Sequence, residues 1–96
     1  MWFMILGRDG PEGLARRPAL RPAHLERAAA LAAAGRLLLA GPLLDEPGDS
    51  GRPQGSLIVA DFADAAEAEA WINADPYVSG GVFTEVEVRP FRQVLP

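Results

Sequence analysis

The chain contains a single histidine, and proton chemistry would start there. His24 sits in the stretch Arg21-Pro22-Ala23-His24-Leu25. Imidazole is the one side chain whose unperturbed titration falls near neutral pH, so it can take or return a proton under ordinary conditions. Asp75, in Asn73-Ala74-Asp75-Pro76-Tyr77, is the natural partner. An Asp directly before Pro also reads as a helix cap followed by a first-turn proline, which predicts a short helical turn from Pro76 to about Gly80. The two roles are compatible, because a capping carboxylate has a second oxygen for an imidazole N–H. Each residue therefore carries two readings. His24 is either a helix residue with no role or a general acid–base group, and Asp75 is either a cap or the group that orients it.

Other polar residues extend the candidate site. Arg16, Arg17 and Arg21 cluster just before the histidine. They form either a solvated charged segment or an anion clamp, since guanidinium groups bind carboxylates and enolates in a bidentate fashion. Arg17 and Arg21 are the candidates for substrate binding, with backbone N–H groups around Gly41 as further oxyanion donors. Ser56, Ser79 and Tyr77 supply hydroxyls, but no serine lies in a Gly-x-Ser-x-Gly elbow, which argues against a serine hydrolase. The chain has no cysteine and no lysine. Thiolate nucleophiles, cysteine-held metals, Schiff bases and the P-loop lysine are thereby excluded. One histidine among scattered acids has no metal-ligand spacing. Any chemistry here is expected to need no cofactor and no metal.

These side chains need elements to position them. Trp2-Phe3-Met4-Ile5-Leu6, stopped by Gly7-Arg8-Asp9-Gly10-Pro11, predicts a strand covered on both faces. Glu12 to Arg21 reads as a connection, followed by a helix from about Pro22 to Ala34 with Leu25, Ala28, Ala29 and Ala32 facing inward. That start places His24 in the first helical turn, where the positive end of the dipole favours a neutral imidazole. Arg36 through Leu44 is a second strand, and its Gly41-Pro42 points to a sheet edge or a bulge. Asp45 to Pro53 is a turn-rich loop, expected to be mobile and to border the site. Gly55 to Phe62 is a third strand, apolar on both sides. Asp64 and Glu67 open a second helix in capping-box fashion, with Ala68, Trp71 and Ile72 inward. Val82 to Phe91 alternates, with Val82, Thr84, Val86 and Val88 opposed to Glu85, Glu87 and Arg89, as an edge strand with one wet face would.

The order is β-α-β-β-α-β, the ferredoxin-like α+β arrangement: a four-stranded antiparallel sheet with both helices on one face. At 96 residues, with 49% hydrophobic and 23% charged, the chain is expected to form a single domain over residues 1–96 with one core. Two helices cover only one sheet face, yet the first and third strands are apolar on both. A second copy of the same sheet is the expected cover, giving a homodimer, and Trp2 and Trp71 are expected as core residues or dimer anchors. A net charge of −4 with no basic stripe argues against nucleic acid. The apolar opening, Met1 to Leu6, is too short for a membrane span or a signal segment, so the expected location is the cytoplasm.

Several short motifs, taken in order, have a family likeness. Arg21-Pro22-Ala23-His24-Leu25, Gly35-Arg36-Leu37, Ala40-Gly41-Pro42, Ala74-Asp75-Pro76-Tyr77 and Val88-Arg89-Pro90-Phe91 resemble the YCII-related (YciI-like) proteins of the dimeric α+β barrel group. The resemblance runs nearly end to end. It implies the same fold and a dimer, and a cleft centred on His24 and Asp75. Some relatives are dehydrochlorinases of hydroxylated aromatic rings, while the wider group includes isomerases, monooxygenases and haem proteins. The expectation is a cofactor-free lyase or isomerase using His24 and Asp75 on a small anionic or hydroxylated aromatic substrate. The alternatives are a non-catalytic dimer that binds a small molecule and a purely structural dimer.

Overall fold

Seven elements make up the computed structural model, which describes residues 1–96. In order they are β1 (Trp2–Asp9), α1 (Gly13–Ala33), β2 (Leu37–Leu44), β3 (Pro53–Asp61), α2 (Ala65–Asn73), α3 (Pro76–Ser79) and β4 (Phe83–Pro90). The strands form one antiparallel sheet in the order β2-β3-β1-β4. This is the ferredoxin-like order. Proline-bearing β2 and half-wet β4 both lie at edges, where a missing ladder donor or a polar face is tolerated.

Strand alternation decides which side chains reach the helices. Phe3, Ile5 and Gly7 of β1 are buried and stand opposite Ala60, Ile58 and Ser56 of β3. With Phe62, Ala68, Ile72, Tyr77, Val82 and Phe83 the apolar members build the core between sheet and helices. Trp2, Met4 and Leu6 point the other way and are only half-buried. On that same face Leu39 and Leu43 of β2 are 45% and 38% exposed, opposite Val59 and Gly55. The second apolar face expected from the sequence is present and only partly covered within the protomer.

The first helix departs from expectation. It begins at Gly13, not at Pro22, and contains both Pro18 and Pro22. Each proline removes one helical hydrogen bond, and the four-residue spacing puts Pro18 itself in the acceptor position of Pro22. The helix persists because tertiary contacts hold its first turns, chiefly through Arg17, which is buried. Its inward stripe is Gly13, Arg17, His24, Ala28 and Leu31, whereas Leu25, Ala29 and Ala32 are exposed. His24 is therefore mid-helix, and the positive end of the dipole does not act on it.

Smaller differences lie at strand ends. β1 runs past Gly7 to Asp9, with a register shift between Arg8 and Asp9 that sets Asp9 opposite Phe83. β3 starts at Pro53 instead of Gly55, so the loop ends at Arg52, one residue earlier than expected, closed by Asp45 N–H to the Arg52 carbonyl at 3.0 Å. At α2 the Asp64 carboxylate accepts from Glu67 N–H at 2.9 Å, while Glu67 reaches back to Ala63 N–H at 3.0 Å. No helix is long and apolar enough to cross a membrane.

Candidate active site

α1 presents two adjacent stripes. Arg17, His24, Ala28 and Leu31 turn into the core, and Leu14, Pro18, Arg21 and Leu25 follow one another at three- and four-residue steps beside them. The second stripe faces edge strand β2, and between them lies a cavity of about 540 Å³. That volume suits a small organic molecule. Ala40, Gly41 and Pro42 form the β2 wall, Ser56 and Ile58 the floor, and Tyr77 closes one end.

His24 is bound to Asp75 by a 2.8 Å hydrogen bond between Nδ1 and Oδ1. Asp75 is 0% exposed, and each hydrogen bond to its carboxylate comes from a donor. Oδ1 also accepts the Tyr77 backbone N–H at 2.9 Å, capping α3, and Oδ2 accepts from Arg27 Nη1 at 3.0 Å. Burial alone would raise the Asp75 carboxyl. The hydrogen bonds from His24 and Tyr77, with the Coulombic and hydrogen-bonding pull of His24 and Arg27, outweigh it and hold Asp75 below the usual carboxylate range. An ionised carboxylate only accepts, so Nδ1 carries the imidazole proton. In the neutral ring Nε2 then carries the lone pair, and the ring lines the cavity. Both readings of Asp75 hold together in the geometry, since one carboxylate caps the helix and ties the histidine.

The imidazole plane is set by an aromatic stack. The His24 and Tyr77 rings lie 3.8 Å apart and 6° from parallel, with Phe83 edge-on to both. Gly7 makes room for Phe83, because a Cβ there would sit 2.5 Å from its ring. Burial pushes the Tyr77 phenol above its ordinary range, and nearby Arg17 and Arg21 pull it partly back. Tyr77 is therefore a protonated group at neutral pH.

Arg17 is occupied more fully than a free anion clamp would be. Its Nε and Nη2 bind the Asp9 carboxylate in a fork, both at 2.8 Å. Nη2 also reaches the Gly55 carbonyl at 3.0 Å and Ser56 Oγ at 3.2 Å. Burial works against the guanidinium charge, but Asp9 outweighs it and holds the Arg17 proton above the ordinary arginine range. Gly13 lets this pair form, since a Cβ on it would meet the Asp9 carboxylate at 2.6 Å. Ser56 Oγ accepts from Arg17, which leaves its own proton available to donate.

Charge is thus nearly balanced around the cavity. Asp9 offsets Arg17 and Asp75 offsets Arg27, while Arg21 lines the cavity with no ion pair of its own. Arg16 points away and donates to the Gly80 carbonyl at 3.2 Å. Of the residues singled out from sequence, His24, Arg17, Arg21, Gly41 and Ser56 line one cavity, and Asp75 stands directly behind His24. Arg27, Asp9 and the ring of Tyr77 were not legible as parts of it. Arg27 had a signal, lying three residues after His24 on the same helical face. Asp9 had none, because its partner is fixed by a strand end meeting a helix start.

Comparison with known proteins follows the same outline. Residues 1–92 match the profile of the YCII-related domain. The chain belongs to the YCII-related family. Its relatives include the protein YciI of Escherichia coli O6:H1, 42% identical over 99 residues, covering 99% of this chain and 100% of that protein. An uncharacterized protein of Haemophilus influenzae is 39% identical over 98 residues with the same coverage. Among solved structures, the 5-chloro-2-hydroxyhydroquinone dehydrochlorinase of Burkholderia phenoliruptrix AC1100, in complex with 2,5-dihydroxybenzoquinone, superposes with a TM-score of 0.85. It is 24% identical, and the match covers 96% of this YCII-related chain and 94% of the dehydrochlorinase. An antibiotic biosynthesis monooxygenase matches at a TM-score of 0.55 and 14% identity, over 99% and 100% of the two chains. At those identities the likeness is one of fold.

Proposed function

We propose that this YCII-related protein is a cofactor-free acid–base enzyme acting on a small anionic or hydroxylated aromatic substrate, and that it works as a homodimer. One observation carries the reading: His24 Nδ1 is tied to a buried carboxylate while the same ring, with no hydrogen-bond partner on Nε2, lines the cavity beside β2. A base held this way typically contributes about 10²–10⁴-fold. Nε2 takes a proton from a ring carbon or hydroxyl, and the electron pair left behind forms a new C=O or C=C bond. In an isomerisation the proton returns from Nε2 to another atom of the same molecule. In an elimination the leaving group departs as an anion with its electron pair, and Nε2 releases the proton to solvent. Asp75 stabilises the imidazolium between the two transfers, and Arg21 and the Ser56 hydroxyl offset charge that develops on the substrate oxygen. Leu14, Pro18, Leu25 and Ile58 give the cavity apolar walls suited to a ring. The ligand of the similarly folded dehydrochlorinase, a dihydroxylated quinone, supports that substrate class.

The test is exchange. Hydroxylated quinones and phenols, chlorinated and not, are incubated with the protein in D₂O, and ring deuteration and chloride release are followed. Wild type is expected to catalyse one or both, His24→Asn neither, and Arg21→Gln to bind the anions about tenfold more weakly while remaining folded. Binding without exchange or release, equal in wild type and His24→Asn, would instead establish a non-catalytic binding module.

A further inference from the structure

We propose that Arg27 is a positioning residue of this site, a permanent cation that keeps Asp75 ionised and fixed so that His24 retains its proton on Nδ1 and offers Nε2 to the cavity. The inference rests on the acid–base reading of His24. Asp75 has no access to water, and a buried carboxylate held only by an imidazole N–H and the Tyr77 backbone N–H still lacks an adjacent permanent cation. Arg27 supplies the missing charge on the oxygen that His24 does not use, through Nη1 at 3.0 Å from Oδ2. The guanidinium is itself held from outside the site. Nη2 donates to the Trp71 carbonyl at 2.8 Å, and the group lies 4.5 Å from the centre of the Trp71 ring. α2 thereby fixes Arg27, Arg27 fixes Asp75, and Asp75 fixes the imidazole.

The arrangement has a consequence for the base. Arg27 and Asp75 offset one another in charge, and with Nδ1 committed to Asp75 the ring offers Nε2 to a substrate in the cavity. The remaining titratable or charged groups around the pair are Arg17 and Arg21 on α1 and Tyr77 on α3, and Arg17 is already held by Asp9 of β1. Arg27 is the sole arginine that forms an ion pair with Asp75. It does not line the cavity, so its effect passes through Asp75 and not through substrate.

The experiment needs no substrate. The Asp75 carboxyl is titrated by carbon-13 NMR in wild type, Arg27→Gln and Arg27→Lys. In Arg27→Gln the Asp75 midpoint is expected to move to higher pH by about one unit, whereas Arg27→Lys, which retains the charge, stays near wild type. A folded Arg27→Gln protein with the wild-type midpoint would overturn the proposal and leave Arg27 a packing residue on Trp71. If Arg27→Gln does not fold, the same change in an Asp75→Asn background decides. Recovered folding there supports the charge coupling, and continued failure overturns it. Loss of catalysis in the exchange test leaves this titration unaffected, so the two readings fail separately.

Discussion

The imidazole of His24 lies flat against the ring of Tyr77, two residues after the carboxylate that binds its Nδ1. Asp75 and Tyr77 therefore constrain the same ring in two ways, one by direction and one by plane. α3 is short, but its N-terminus is built so that a single Asp–Pro–Tyr step supplies both constraints.

The stack should respond to shape and not to the hydroxyl. Tyr77→Phe preserves the ring and is expected to stay within about 1.5 kcal/mol of wild type in urea denaturation. Tyr77→Ala removes a fully buried ring and should cost about 3–5 kcal/mol. Because His24 is the single histidine, its ring-proton shifts report the stack directly. The upfield displacement should survive in Tyr77→Phe, and its absence from the wild-type spectrum would refute the geometry.

Acid stability tests the state of Asp75. Its folded value is depressed, so the carboxylate stabilises the fold fully above the unfolded value of about 3.9. That contribution is lost as pH falls through the folded value. Asp75→Asn keeps an acceptor for the Tyr77 N–H but leaves Arg27 facing no charge, a loss of about 3–5 kcal/mol at neutral pH. The stability gap between the two proteins should shrink as pH falls below about 4. A gap that persists undiminished to the acid limit would mean that Asp75 contributes only as a cap.

The Asp9–Arg17 fork makes a prediction at the other end of the cavity. Both side chains are nearly inaccessible, at 6% and 9% exposure. Asp9→Asn strands a buried guanidinium and should cost about 3–5 kcal/mol, while Asp9→Asn with Arg17→Met should recover much of that loss. Chemical denaturation of the two single variants and the double variant closes the cycle. Additive losses would show that the fork is not a coupled pair.

The partly exposed apolar sheet face predicts self-association. Burying Trp2, Met4, Leu6, Leu39, Leu43 and Leu57 against a second copy removes on the order of several hundred Å² per protomer, enough for several kcal/mol before association costs. Light scattering at micromolar concentration should give twice the 10.2 kDa chain mass. Leu57→Glu should halve it while leaving the helix-side core folded. A wild-type monomer would refute the homodimer.

The sequence alone determined the strand and helix order, because period-2 and helical patterns depend on neighbours in the chain. It pointed to an edge or a bulge in β2 through Pro42, exposed a second apolar face through Trp2, Met4 and Leu6, and marked His24 and Asp75 by residue type and motif. It misplaced the start of α1 because Pro18 and Pro22 are helix breakers in isolation, and only contacts distant in sequence keep them helical. The same misreading put apolar Leu25 inward in place of Arg17 and His24. A polar residue turns inward only when a partner waits there, and those partners, Asp9 and Asp75, come from other elements. Tertiary structure likewise decided that Arg17 is neutralised while Arg21 is free, and that Arg27 stands behind the dyad. Charge compensation depends on distances across the fold, and no local pattern in the chain encodes them.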